Sequence, residues 1–364
     1  MTPKSTRLDR VREWLRQLPH LIGQTIPSSG VLLCTHKQIC TINEVNQMNR
    51  RQAKSIANKS DTNPNSVNLD DAQIGLNDPD QFIRNQVTYA FNNVAAQYPR
   101  KVEEYLDVLA PRLNDTSEET RNIATHVFSE VARADPKSVV QYLDRLKQRF
   151  YDTDEFTRHY AAHVFNEVVD LEPLQVKPHL DTVARCLNDP NKYTRHYTTY
   201  VFAQVVKVER EPVTDYLDKV VQRLDDTNAK TRNFATFIIH ELVESNPKEV
   251  SKHLDAVEPR LRDASKFTRH YAVYTFYKVS EEFPSRVARY TDSLRPLKSD
   301  ELANTQQFVS GILEATGNTG KDTQSTQTEY PRSNTSIEAS SDTDPAINDS
   351  FSGTNIYNPD GDNP

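Results

Sequence analysis

The chain is organised around a stretch that recurs six times at an interval of 37 residues, and Asn114–Pro136 (NDTSEETRNIATHVFSEVARADP) is one copy. Each copy carries an arginine and, six residues before it, an aspartate. The arginines are Arg84, Arg121, Arg158, Arg195, Arg232 and Arg269. The aspartates are Asp78, Asp115, Asp152, Asp189, Asp226 and Asp263. A period of roughly 20–50 residues indicates a repeat protein in which each unit stacks only on its neighbours.

Each period predicts two helices. The first follows a proline that recurs at Pro99, Pro136, Pro173, Pro247 and Pro284, with Arg210 in its place once. Its apolar residues are spaced as in Val102, Leu106, Leu109 and Leu113, which places them on one helical face. The second helix is predicted to begin at the periodic aspartate, interpreted as its N-cap. Positions +3, +7 and +10 from the arginine, such as Ala124, Phe128 and Val131, are predicted to be its buried side.

This pattern resembles the HEAT repeat, a member of the armadillo-like class of helical solenoids. The resemblance covers residues 68–317 and implies an all-α, right-handed α-solenoid of about seven helical pairs. It also implies that the Asp/Arg ladder is structural and links neighbouring repeats, and that the second helices line a concave surface. Pro284–Gly317 departs from the pattern, because Gln306 replaces the arginine, and is interpreted as a terminal cap.

The concave side is predicted to be an interaction surface for a protein or peptide. Position +5 carries Tyr89, His126, His163, Tyr200, Phe237 and Tyr274. Position +1 carries Asn85, Asn122, His159, His196, Asn233 and His270. Both positions lie opposite the predicted core, and a continuous row of exposed aromatic side chains is typical of a binding surface. The alternative is that these rings stack on one another and merely close the groove.

Composition disfavours an enzyme. No glycine lies between Leu76 and Ser310, so phosphate-binding loops and nucleophile elbows are not expected there. His159 and His163 lie four residues apart, and Cys34, His36 and Cys40 lie close in sequence. Neither group has a recurring further ligand, so we expect no metal and no cofactor. The sequence therefore favours a non-enzymatic scaffold or adaptor.

The two ends differ from the array. Residues 1–60 contain ten Lys/Arg and three Asp/Glu and are predicted to form a basic arm. Within it, an amphipathic helix is predicted from Leu8, Val11, Leu15, Leu18 and Ile22, short strands over residues 30–42, and a polar helix over residues 43–57. Residues 61–67 are interpreted as a linker. Residues 318–364 contain two basic and eight acidic residues and are predicted to be a disordered acidic tail.

The arm leaves two interpretations open. Its apolar side could pack on the first repeat as a cap, or the arm could bind an acidic partner, including nucleic acid. A nucleic-acid-associated protein using the arm is therefore the alternative function, although the array itself is acidic, whereas a phosphate-binding groove should be basic. The sequence shows no membrane span, no signal peptide and too few cysteines for a disulfide framework, so the expected location is the cytoplasm.

Overall fold

The computed structural model describes residues 48–317, and all regular secondary structure within them is helical. Eight long helices follow one another: α1 Arg50–Thr62, α2 Gln81–Gln97, α3 Glu118–Ala134, α4 Glu155–Val169, α5 Lys192–Val208, α6 Ala229–Val243, α7 Lys266–Glu282 and α8 Ala303–Gly317. Helices α2 to α8 are the second helices of seven helical pairs. The predicted all-α repeat architecture is confirmed. The predicted helix over residues 8–22, the strands over 30–42 and the acidic tail lie outside the described residues.

The first helix of each pair is a chain of short segments rather than one continuous helix. The α-helical segments are Leu69–Ala72, Pro99–Glu103, Leu106–Leu109, Pro136–Val139, Leu143–Leu146, Pro173–Val176, Leu180–Val183, Glu211–Thr214, Leu217–Val221, Pro247–Val250, Leu254–Val257, Pro284–Val287 and Thr291–Leu294. The 3-10 segments are Pro64–Ser66, Gln73–Asn77, Ala110–Asn114, Val140–Tyr142, Lys147–Tyr151, Lys177–His179, Ala184–Asn188, Ser251–His253, Glu258–Arg262, Ala288–Tyr290 and Arg295–Ser299. The break comes at a residue such as Tyr105, whose φ of −104° and ψ of 2° depart from helical values.

The core lies between the first and second helices, where the apolar face predicted for the first helix meets the buried side predicted for the second. Val102, Leu109 and Leu113 are fully buried. Position +7 of the second helices contributes a phenylalanine in most repeats, and Phe128 is also fully buried. Its ring meets that of Tyr142 edge-on, with 5.1 Å between centroids. Full burial of one such side chain stabilises the fold by about 1.5–3 kcal/mol, so the core repeats its stabilising contacts in every unit.

The described region begins before the expected start of the array at residue 68. Helix α1 packs on α2 through Ala53, Ala57 and Ser60, which are buried. It therefore occupies the place of a second helix of a preceding repeat. The segment expected to be a linker, residues 61–67, contains the end of α1 and the 3-10 turn Pro64–Ser66. No helix within residues 48–317 is long and apolar enough to cross a membrane.

Candidate interaction surface

The periodic arginines and aspartates join each repeat to the next. Every arginine donates from Nε to an aspartate of the following repeat over 2.6–2.9 Å. The pairs are Arg84–Asp115, Arg121–Asp152, Arg158–Asp189, Arg195–Asp226, Arg232–Asp263 and Arg269–Asp300. The same guanidinium donates from Nη1 to the backbone carbonyl of its own repeat's aspartate, as from Arg121 to Asp115 over 3.0 Å. Since these guanidiniums are paired within the fold, they do not form a phosphate-binding row.

The second helices begin two residues later than predicted. Ser117 is the N-cap of α3, and its hydroxyl accepts a hydrogen bond from the Thr120 N–H over 3.2 Å. The Asp115 carboxylate instead accepts the N–H of Ser117 over 2.9 Å and the guanidinium of Arg84. The interpretation of Asp115 as the N-cap is therefore wrong, because its carboxylate closes the turn before the helix.

A second row of arginines reinforces the ladder at its carboxylates. Arg112, Arg149, Arg223 and Arg260 each contact the aspartate three residues ahead. Cys186 stands at the corresponding place before Asp189 and is buried. Burial raises the pKa of its thiol to about 12. Asp189 thus has one arginine partner where Asp226 has two, so the ladder is weaker at this junction.

The residues at position +1 lie between neighbouring second helices rather than on an open surface. Asn85, Asn122, His159, His196 and His270 are buried, and Asn233 is half-buried. Several contact a threonine on the next second helix: the His270 ring nitrogen Nδ1 lies 2.9 Å from the Thr305 hydroxyl. Burial lowers the pKa of His159 to about 3 and that of His196 to about 4. In this packing the position +1 side chains do not present a surface to a partner.

The residues at position +5 pack against neighbouring side chains and most of them are also partly accessible to solvent. Tyr89, His126, His163, Tyr200 and Tyr274 are half-buried, whereas Phe237 is 4% exposed. From His126 to Tyr274, each of these rings contacts the ring at position +2 of the next repeat. The His126 and Tyr160 centroids lie 4.2 Å apart in a stacked arrangement. The Tyr200 hydroxyl donates to Asp170 over 2.6 Å. Lateral stacking, the alternative left open by the sequence, therefore accounts for much of this row.

The side chains that remain accessible on this side occupy positions −2 and +12. Position −2 carries Phe82, Glu119, Phe156, Tyr193, Lys230 and Phe267. Position +12 carries Ala96, Arg133, Asp170, Lys207, Glu244 and Glu281. Phe267 is 48% exposed, and all six position +12 residues are exposed. We refer to positions −2, +5 and +12 of α2 to α7 as the second-helix face. Position −2 recurs with the 37-residue period and lies about 20° from position +5 around the helix axis. The sequence therefore already indicated that positions −2 and +5 share one face of the second helix.

One chain of side chains on α3 and α4 resembles a catalytic arrangement. The Ser129 hydroxyl lies 2.7 Å from Nδ1 of His163, and Nε2 of the same ring lies 3.2 Å from a Glu167 carboxylate oxygen. However, Ser129 is 3% exposed, so a substrate cannot reach it in this packing. Within residues 48–317, no three His, Cys, Asp or Glu side chains converge closely enough to hold a metal ion.

A further periodic set on the first helices was missed in the sequence. Tyr105, Tyr142, His179, Tyr216, His253 and Tyr290 also recur at 37 residues. Their side chains face an aspartate of the preceding repeat. Tyr142 donates to Asp107 over 2.8 Å and Tyr216 to Asp181 over 2.5 Å. These contacts link successive first helices as the arginine ladder links the turns.

Several solved structures are similar to this chain. An engineered protein is similar over 74% of this chain and 74% of its own, with 14% identity and a TM-score of 0.56. A designed armadillo repeat protein has 17% identity, covers 68% of this chain and 100% of its own, and has a TM-score of 0.46. A second, solved in complex with the peptide (KR)4, has 17% identity, coverage of 68% and 99%, and a TM-score of 0.45.

These similarities concern the fold alone. The identities of 14–17% are too low to transfer function, and the two TM-scores below 0.5 support no argument. No protein-family model and no curated protein matches the chain. The chain has an armadillo/HEAT-like α-solenoid fold, defined by its helical pairs and by its salt bridges at a 37-residue period.

Proposed function

We propose that this protein is a non-enzymatic scaffold or adaptor that holds a protein or peptide segment along the second-helix face. The observation that carries the proposal is the recurrence of an aromatic side chain at position −2 in four of the six repeats, beside the half-buried rings at position +5. Phe267 is 48% exposed, and Phe82, Phe156 and Tyr193 are half-buried. Rigid aromatic side chains supply contact area at low entropic cost.

The polar contacts would come from different residues than the sequence suggested. The amides and imidazoles at position +1 bond neighbouring helices, as between Asn233 and Thr268 over 3.0 Å. Position +12 instead offers exposed charged groups, among them Arg133, Asp170 and Lys207. In this mechanism the rings hold the partner's apolar side chains, while these charged groups set its register along the array.

A matched pair of double variants tests the proposal. Tyr193→Ala with Phe267→Ala removes two rings from the second-helix face, whereas Tyr98→Ala with Tyr151→Ala removes two exposed rings elsewhere. Truncating an interface aromatic residue costs about 1–2 kcal/mol, so the first double variant should weaken partner binding roughly 30- to 1,000-fold. Intact protein and both variants are used in pull-downs from nuclease-treated native lysate.

A protein retained by the intact chain and by the Tyr98/Tyr151 variant, but not by the Tyr193/Phe267 variant, supports the scaffold. Equal retention by all three contradicts it. If nuclease removes all retained material, the alternative nucleic-acid function takes precedence. Far-UV circular dichroism of both variants should match that of the intact chain, because the altered rings lie outside the core.

A further inference from the structure

Three exposed apolar side chains gather at the corners of two adjacent repeats. Leu171, Leu174 and Val208 are 55%, 54% and 52% exposed. Leu171 and Val208 occupy the same repeat position, immediately after α4 and at the end of α5. An ion pair between Lys177 and Glu209 joins the two corners. We call these three side chains the corner patch.

A cavity adjoins the patch. Its volume is about 590 Å³, and its walls combine Val206 and Val208 with polar and charged side chains, among them Glu211 and Asn246. It lies where Arg210 replaces the periodic proline, and Arg210 itself lines the cavity. A cavity of this volume can accept a large side chain.

The segments that carry the patch contain more carboxylates than cations. The carboxylates are Asp170, Glu172, Glu209, Glu211 and Asp215, and the cations are Lys177, Lys207 and Arg210. Two of these cations are already engaged, since Lys177 pairs with Glu209 and Arg210 with Glu241. The Asp170 carboxylate accepts a hydrogen bond from the neutral hydroxyl of Tyr200. The patch therefore suits an occupant that combines apolar and basic side chains.

The amino-terminal arm of this chain has that composition. Its sequence predicts an apolar stripe of Leu8, Val11, Leu15, Leu18 and Ile22, and Arg7, Arg10, Arg12 and Arg16 lie among these residues. Helix α1 covers α2, and the side of α1 that faces away from α2 carries Arg51, Ser55 and Asn58, which are polar and exposed. This side of α1 therefore offers little apolar surface to the arm.

The arm is long enough to reach the patch. Ile22 and Met48 are separated by 25 intervening residues, which span at most about 85 Å when extended. Helix α5 lies four repeats beyond α1, or roughly 40 Å at about 10 Å per packed helix. We propose that residues 7–22 dock on the corner patch of the same chain, with apolar groups on Leu171, Leu174 and Val208 and arginines facing the carboxylates.

Trp14 is the only tryptophan of the chain and lies within the docking segment, so its fluorescence reports the arm in the full-length protein. We expect its emission maximum to lie to the blue of free N-acetyl-tryptophanamide in the same buffer. Leu171→Ser, Leu174→Ser and Val208→Ser together should move the maximum to that of the free compound. The matched control, Ile74→Ser with Tyr98→Ser and Tyr151→Ser, alters three exposed side chains outside both the patch and the second-helix face and should leave it unchanged.

A second variant keeps the test independent of array folding. Arg12→Glu with Arg16→Glu changes only the arm and should produce the same red shift as the patch variant, because both charges would then face carboxylates. Three results would overturn the proposal: native emission equal to that of the free compound, blue-shifted emission unaffected by the patch variant, or a shift that depends on protein concentration. The last would place the arm on a second copy. Because Trp14 emission is read on the isolated chain without a partner, failure of this proposal is distinguishable from failure of the scaffold proposal.

Discussion

Replacing Arg158 tests how the ladder stabilises the array. Its Nε lies 2.6 Å from Asp189, its Nη1 donates to the Asp152 carbonyl over 2.8 Å, and the Arg158 and Asp189 side chains are 15% and 4% exposed. Because Cys186 replaces the second arginine here, Arg158→Met leaves the Asp189 carboxylate without a cation. Removing one partner of a buried ion pair costs about 3–5 kcal/mol. We expect the free energy of unfolding to fall by about 4 kcal/mol.

Arg195→Met is the matched control. Its partner Asp226 keeps a second cation, Arg223, whose Nη1 lies 3.1 Å away. The variant therefore loses only a charged hydrogen bond, which lowers the free energy of unfolding by about 1.5–3 kcal/mol. Equilibrium urea unfolding, followed by circular dichroism, should therefore rank Arg158→Met as the more destabilising change. Adding Cys186→Arg to Arg158→Met should recover part of the difference. Equal losses in the two single variants, or no recovery, would refute this explanation of the ladder.

Two further predictions concern buried positions. Burial lowers the pKa of His159 to about 3, that of His196 to about 4 and that of His240 to about 3. In the unfolded chain these imidazoles have a pKa near 6.5, so protonation favours the unfolded state and the free energy of unfolding should fall as the pH drops below 6.5. At pH 5 each should contribute a loss of about 2 kcal/mol, and urea titrations showing equal stability at pH 7 and pH 5 would contradict this. Gly75→Ala should lower the free energy of unfolding by about 1–3 kcal/mol, because the added Cβ would lie 2.8 Å from Val87 Cγ1. An unchanged melting temperature would exclude that clash.

The helical pairs were predictable because their signals are local and repeated. The spacing of Val102, Leu106, Leu109 and Leu113 predicts one buried face, and all four are buried. The break at Tyr105 was not predicted, because the same spacing suits a continuous helix. The start of α3 was misplaced because Asp115 has the side chain of an N-cap but contributes it to an arginine 31 residues earlier.

The interaction surface was less predictable than the core. The helical angle of His159 relative to the predicted core does not show whether the next second helix covers this side chain. His159 is 5% exposed because α5 packs alongside α4. Phe267, at position −2, is 48% exposed.

The most direct test of the central claim is site-specific photo-cross-linking in cells. A benzophenone amino acid is introduced at Tyr193 or Phe267 on the second-helix face, and at Tyr151 as the control. The account predicts one common protein adduct from the two face positions and none of that adduct from Tyr151. An adduct formed only from Tyr151, or from none of the three positions, would contradict a partner held along this face.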